Sequence, residues 1–450
     1  MDNKRHEEQQ YKKMTSEPVG KLLLSLSVPT IISMLVTTTY NIVDAAFVGL
    51  LGTSQSGATG VVNGYMAILQ AIAFMCGQGA GSIMSRKLGA KEKSEADKFA
   101  STGVVLSFLT GLTVAFFSLI FLHPLLKTLG STDTILPYAR TYLLFILASA
   151  PFFTSSFTMN NLLRYEGKAK FGTMALMTGA VLNIAGDALC ICVFKMGIFG
   201  AGLSTAVSQF IGFLVIISMY IRKKAEVSLS IRNVSRAISD YYEIVTTGLP
   251  SLFRQGLNAA ATMVLNSCAS VYGDSAVAAM SIVSRLGFFP MAVAIGIGQG
   301  FQPISGFNYG AKRNDRVKEA FKKALFGSEV ALILFAIPMC IFAPNFVRIL
   351  RDDPEVIEIG SRALRLLCYS QPALPLTFMT EMGFQSTGQK KLALVSSSLR
   401  SGIIFIPSLI VMSMLRGLSG VEEAQPLSFI ISFFISIYFV RVYFKKLSAN

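Results

Sequence analysis

Residues 77–91 read GQGAGSIMSRKLGAK, and the pattern returns 221 residues later, at 298–312, as GQGFQPISGFNYGAK. The same offset joins Pro29 in SVPT to Pro250 in GLPS, Gly52 to Gly273, Ile83 to Ile304, Pro151 to Pro372 and Gly167 to Gly388. One gap-free spacing held over about 140 residues marks an internal duplication. Near the end the spacing becomes 220, where Gly200-Ala201 faces Gly420-Val421. The chain therefore reads as two halves, 1–221 and 242–450, joined by the basic, polar stretch 222–241. The glycines of GQG read as positions where helices pack closely.

Long apolar runs surround these signatures. Hydrophobic residues make up 52% of the chain and charged residues 14%, with a mean hydropathy of +0.56. A soluble domain carries about 25% charged residues, so this chain cannot coat a water-facing surface. That excludes a soluble globular protein, a disordered chain and a disulfide scaffold. A membrane helix needs roughly 20 mostly apolar residues. Twelve stretches qualify: about 22–50, 58–85, 99–122, 138–163, 171–194, 200–221, 242–270, 275–306, 320–343, 359–386, 392–415 and 420–440. They are too long for strands and rich in Leu, Ala, Met and Gly. The fold class is an all-α membrane protein of twelve transmembrane helices in two six-helix halves. An even number of spans inserts both halves the same way up. Their pseudo-twofold axis then lies along the membrane normal, an arrangement of some secondary transporters.

The net charge of +15 would normally raise nucleic-acid binding. Here Lys and Arg lie between apolar runs and describe topology instead. With the N-terminus inside, the inside segments hold 29 of them, against six outside when Arg140 is counted with its loop. Both termini are then cytoplasmic, and the protein is multi-pass in the cell membrane. Residues 1–21 mix Glu7, Glu8 and Glu17 with Lys12 and Lys13 and show no cleavage pattern, so they read as a cytoplasmic tail. Cys76, Cys190, Cys192, Cys268, Cys340 and Cys368 all fall in spans, and neither they nor His6 and His123 have metal-site spacing. No phosphate-binding loop of the Walker type occurs, so ATP hydrolysis is not expected.

A charge at the bilayer centre costs about 3 kcal/mol on insertion scales, so intramembrane ionisable residues are functional candidates. Counting 1.5 Å per residue from the span ends, Asp44, Asp187 and Thr205 share a depth roughly 7–10 Å below the outer boundary. Asn183 lies one turn before Asp187 on the same face. Two buried carboxyls with these oxygens can hold a proton at neutral pH or share Na⁺. The alternative is that Asn183 and Thr205 bond between helices and each Asp has a fixed donor. Tyr40, Asn160 and Asn161 are secondary members of this polar network. Pro29 and Pro250 remove a backbone hydrogen bond and can localise a helix bend. The second half carries Arg254, Arg285, Glu381 and Arg400. Glu381 either pairs with an Arg or faces a cavity to attract cationic substrate. Glu329 has no assigned role. An enzyme is not expected, because Asp44 and Asp187 converge without a nucleophile.

The two GQG segments, with YNIVDAAFVG at 40–49, NNLLRYEGKAK at 160–170, VLNIAGDALCI at 181–191 and FQSTGQKK at 384–391, resemble the multidrug and toxic compound extrusion (MATE) family from about residue 18 to 445. The resemblance implies a monomeric helical transporter without a cofactor. Such proteins export organic, often cationic, amphiphilic compounds in exchange for H⁺ or Na⁺. In the DinF-like branch an Asp in span 1, an Asp with a preceding Asn in span 5, and a Thr in span 6 form the cation site. Asp44, Asp187, Asn183 and Thr205 match it. NorM-like members place acids in spans 7 and 10, where this chain has Asn258 and Leu376. A second-half Na⁺ site of that kind is therefore not expected. The 34 Phe, 14 Tyr and 19 Met suit an adaptable cavity. The competing reading is a flippase for a lipid-linked oligosaccharide, which would use a cationic cavity built on Arg254, Arg285 and Arg400.

Overall fold

The computed structural model describes residues 2–449, with side chains from 7 to 448, so the side chain of His6 lies outside it. No strand occurs among the described residues. The long helices are α1 (Val19–Gly49), α2 (Thr53–Gly89), α3 (Lys93–Ile120), α4 (Leu136–Tyr165), α5 (Ala169–Asp187, continued by a π-helical turn Ala188–Val193) and α6 (Gly197–Ile221). Then come α7 (Ile238–Ser270), α8 (Asp274–Gly310), α9 (Asn314–Ile341) and α10, in two pieces (Pro354–Ser370 and Leu374–Ser386) around a tight turn at Gln371–Ala373. The last two are α11, in two pieces (Lys390–Ser398 and Phe405–Arg416) around a π-helical turn Leu399–Ile404, and α12 (Leu418–Ala449).

Ten of these are long and apolar enough to cross a membrane. The other two are α7, which carries Asp240, Glu243 and Arg254, and α10, interrupted where Pro372 has no N–H to give. Helices suit this solvent because every backbone group is satisfied within its own segment. Burial runs opposite to that of a water-soluble protein. The most apolar of the ten, α3, is among the least buried, and the least apolar, α4, is the most buried. Phe116, Phe117 and Ile120 on α3 are left exposed for lipid.

The duplication is written into the backbone. Helices α2 and α8 are both 37 residues long, and α3 and α9 both 28. Positive φ recurs at the repeat offset: Gly52 (117°) with Gly273 (98°), Lys91 (62°) with Lys312 (57°), and Gly167 (85°) with Gly388 (78°). A side-chain-bearing residue rarely adopts such a φ. Its recurrence at two equivalent lysines therefore marks one inherited turn geometry.

Contacts gather the chain into two compact units. One holds Met1–Gln9 and Ile32–Leu252, the other Gln10–Ile31 and Phe253–Asn450. In the first, α4 packs against α2, α3, α5 and α6; in the second, α10 packs against α8, α9, α11 and α12. The GQG glycines sit where neighbouring helices leave no room for a side chain, and at Gly79 the contact is backbone on backbone. A Cβ on Gly79 would lie 2.2 Å from the Ile244 carbonyl oxygen, and one on Gly248 would lie 1.9 Å from that of Met75. In the second unit a Cβ on Gly300 would lie 2.2 Å from Ser27 Oγ. Gln78 and Ser251 add a buried hydrogen bond of 2.9 Å to the first seam.

The stretch 222–241 is bound along the first unit. Glu166, at the end of α4, accepts hydrogen bonds from the amides of Glu226 (2.8 Å) and Val227 (3.0 Å). Lys168 pairs with Glu226 at 2.7 Å, and Thr102 accepts from the Ser235 amide at 2.9 Å. Burial pushes the Glu166 carboxyl up to about 8, against the opposing pull of Lys168 and the two amides. An unfolded Glu titrates near 4.5. Between these values the folded chain keeps a proton that the unfolded chain has lost, so stability falls as pH rises through the window. Melting temperature should therefore fall from about pH 5 to about pH 9, and Glu166→Gln should flatten the fall. An unchanged slope in the variant would place the linkage elsewhere.

Candidate functional site

Three helices of the first unit bring four oxygen-bearing side chains together. Asp44 lies near the end of α1, and Asp187 closes the regular part of α5. Asn183 is one turn before Asp187, and Thr205 is in the third turn of α6. Immediately after Asp187 the helix changes to π register, a distortion frequent at functional sites. All four are buried, with Asp187 0% and Asp44 8% exposed. Asn183 Nδ2 donates to Thr205 Oγ1 at 3.3 Å, and Thr205 Oγ1 meets the Tyr142 hydroxyl at 3.3 Å. The Asp44 and Asp187 carboxyls are near enough to act on one another electrostatically.

The acceptors of this cluster are unmet. Asp44 Oδ1, both carboxylate oxygens of Asp187, and Asn183 Oδ1 are buried and have no hydrogen-bond partner among the described residues. Ser204 stands beside Asp187, but its hydroxyl is committed to the Asn183 carbonyl at 3.0 Å. Buried polar groups are normally satisfied. A set of acceptors without a donor calls for a proton or a hard cation, which takes oxygen ligands. The residues present therefore fit either ion.

A cavity of about 360 Å³ adjoins the cluster, and Asn183 and Thr205 form part of its wall. Tyr40, Asn63, Gln70 and Gln209 line it as well, and no ionisable acid or base other than Tyr40 does. Asn160 and Asn161 lie elsewhere. The Asn161 amide donates to the Phe157 carbonyl (2.8 Å) and accepts from Arg164 (2.5 Å). Its side chain packs where Gly77 leaves room, and that of Asn160 where Gly172 does. Pro29 and Pro250 are inside α1 and α7. The change from one contact unit to the other falls two residues past each of them, at Ile31/Ile32 and Leu252/Phe253.

Reasoning from sequence missed Ser204 and Tyr142. Tyr142 sits six residues into α4, so the depth argument that gathered the other groups could have found it. Ser204 precedes Thr205 and gave no separate signal.

In the second unit Arg254 Nη1 meets Glu381 Oε1 at 2.9 Å, with both side chains buried. Asn258 and Arg400 line a separate cavity, and Leu376 is buried in α10. Glu329 on α9 is part-buried and has no ion pair among the described residues.

A family model described as MatE matches residues 29–189 and again residues 250–411. The chain belongs to the MatE family. The two matches begin at Pro29 and Pro250, one repeat apart, so the duplication is a property of this MatE chain as its backbone shows. It is similar to the multidrug export protein MepA of Staphylococcus aureus, 28% identical over 405 residues, covering 90% of this chain and 89% of that one. The protein of the same name from Staphylococcus haemolyticus is 25% identical over 433 residues, covering 96% and 95%. Among solved structures, an outward-facing multidrug resistance MATE family transporter superposes with a TM-score of 0.92 at 24% identity, over 97% of this chain and 98% of that one. A MOP superfamily transporter from Pyrococcus furiosus, described by the reversed polarity of its binding pocket, superposes at 0.91 with 23% identity, over 97% and 98%. These superpositions speak for the fold. The MatE chain is thus a multi-pass helical membrane transporter and not an enzyme.

Proposed function

We propose that this MatE chain is a multidrug exporter. It moves organic, drug-like, cationic amphiphilic compounds out of the cell by alternating access, in exchange for H⁺ or Na⁺. Asp44, Asn183, Asp187 and Thr205 carry the coupling. The observation behind this reading is the cluster of buried acceptors without a donor, set beside a cavity with no basic side chain in its wall. Similarity to proteins named for multidrug export supports the substrate class.

The chemistry follows from charge. Without an ion, the carboxyl pair is negative and favours a cationic compound in the adjoining cavity. A proton or Na⁺ neutralises the pair and removes that attraction, so ion and compound compete. In the orientation implied by Lys and Arg, the cluster lies nearer the outer face, where the incoming ion arrives. Shifting a two-state equilibrium from 1:99 to 99:1 takes about 5.5 kcal/mol of differential binding. A membrane potential adds about 2.3 kcal/mol per charge per 100 mV. Coupling therefore needs a strongly discriminating ion site, which a desolvated carboxyl pair supplies.

Ethidium efflux from proteoliposomes, under an imposed pH gradient or an imposed Na⁺ gradient, tests the reading. The wild type should export under one of them, and the effective gradient names the ion. Asp187→Asn should reduce driven export by at least about a hundredfold, since a transition requiring a charged partner is lost. Equal export by both proteins would remove Asp187 from the coupling. No export under either gradient would favour the lipid-linked oligosaccharide flippase.

A further inference from the structure

The second unit contains a cavity of about 290 Å³ whose only charged lining residues are Arg285 on α8 and Arg400 in the π-helical turn of α11. Its polar wall is otherwise neutral, with Asn258, Gln371, Ser401 and Gln425. Arg400 is only 7% exposed. Its guanidinium lies over the ring of Phe378 at 4.8 Å and that of Phe429 at 6.0 Å, two cation–π contacts that hold it in place. Arg400 Nη1 donates to Met291 Sδ at 3.9 Å, a weak acceptor for a group with five N–H donors. The acid that acts on Arg400 through space is Glu381, and Glu381 Oε1 is engaged by Arg254 at 2.9 Å.

The charges here do not balance. Arg254, Arg400 and Glu381 together leave one positive charge in excess, and Arg285 adds another at the cavity wall. An uncompensated charge at membrane depth is costly and is retained where a partner arrives. A planar fork of donors held against aromatic rings is suited to bidentate capture of a carboxylate or phosphate. Phe288, Phe405 and Phe429 give the cavity an apolar wall beside this fork.

We propose that the second-unit cavity binds an amphiphilic organic anion, with the carboxylate or phosphate head on Arg400 and the apolar body against the phenylalanines. Arg285 adds longer-range attraction. The site is separate from the coupling cluster, and its occupancy is read at equilibrium without any gradient. Its failure is therefore distinguishable from failure of the export reading.

The test is calorimetric titration of the full chain in phosphatidylcholine nanodiscs, with naphthoate as the anionic probe and naphthylmethylammonium as its cationic counterpart. Arg400→Gln should weaken naphthoate binding by about tenfold or more, the expected worth of a charge-assisted pair. Arg400→Lys should lose less, because it keeps the charge but not the fork. Naphthylmethylammonium binding should not weaken in either variant. If Arg400→Gln fails to fold, Arg285→Gln carries the test on an exposed side chain, with a smaller loss. Octyl phosphate should displace naphthoate better than inorganic phosphate does. Replacing part of the phosphatidylcholine with phosphatidylglycerol separates the sources: occlusion of naphthoate assigns the head group to a membrane lipid, and unchanged binding assigns it to a free anion. Equal naphthoate affinity in wild type, Arg400→Gln and Arg285→Gln would overturn the proposal. So would displacement by the cationic probe as readily as by octyl phosphate.

Discussion

Gly248→Val abolishes the folded protein. A Cβ there would stand 1.9 Å from the Met75 carbonyl oxygen and 2.7 Å from its carbonyl carbon. Both are backbone atoms of a neighbouring helix, so no rotamer change relieves the clash. Extra methylenes in a packed core already cost about 1–3 kcal/mol when side chains can shift. Prising two helices apart adds the loss of the seam itself, against a total stability of only about 5–15 kcal/mol in typical proteins. The control is Gly256→Val on the same helix, where a Cβ meets nothing within 4 Å. Size-exclusion profiles of the purified variants should show a monodisperse peak for Gly256→Val and aggregate for Gly248→Val. Matching profiles would mean that α2 and α7 do not meet as described.

Glu381→Gln ranks next. The change leaves Arg254 buried, 6% exposed, with its partner neutral and Arg400 close by. Removing one member of a buried ion pair typically costs about 3–5 kcal/mol, whereas exchanging both for apolar groups of similar size is often near neutral. The double variant Arg254→Met with Glu381→Leu should therefore melt well above Glu381→Gln. Melting temperature in detergent, or an unfolding titration, measures both. If the double variant is no more stable than the single, the pair serves ligand binding rather than packing.

The offset between repeats was legible because glycines and prolines at fixed spacing report backbone geometry, and the recurring positive φ at Lys91 and Lys312 is that geometry. The spans were legible because a bilayer demands long apolar runs. The carboxyl cluster was legible as a shared depth, which places Asp44 and Asp187 but says nothing of facing partners. Ser204 and Tyr142 depend on helix rotation, and the π turn after Asp187 alters that rotation without any sequence mark. The break in α10 could be suspected from Pro372, whereas the π turn around Arg400 could not. An offset also states which residues correspond and not which ones touch. Hence it could not reveal that residues 10–31 gather with the second unit and residues 238–252 with the first.

The bare seam where Gly79 meets the backbone of Ile244 and Gly248 has a consequence for heredity. A contact made by backbone alone leaves nothing to exchange, so both descendants keep the glycine, as Gly79 and Gly300, although the residue facing it is Gly248 in one and Ser27 in the other. A cavity wall is under no such tie. At the repeat offset, Asp44 corresponds to Leu265, Asp187 to Ser408, Arg285 to Gly64 and Arg400 to Gly179. The siblings share a skeleton and have drifted to opposite polarity, one acidic within and one basic.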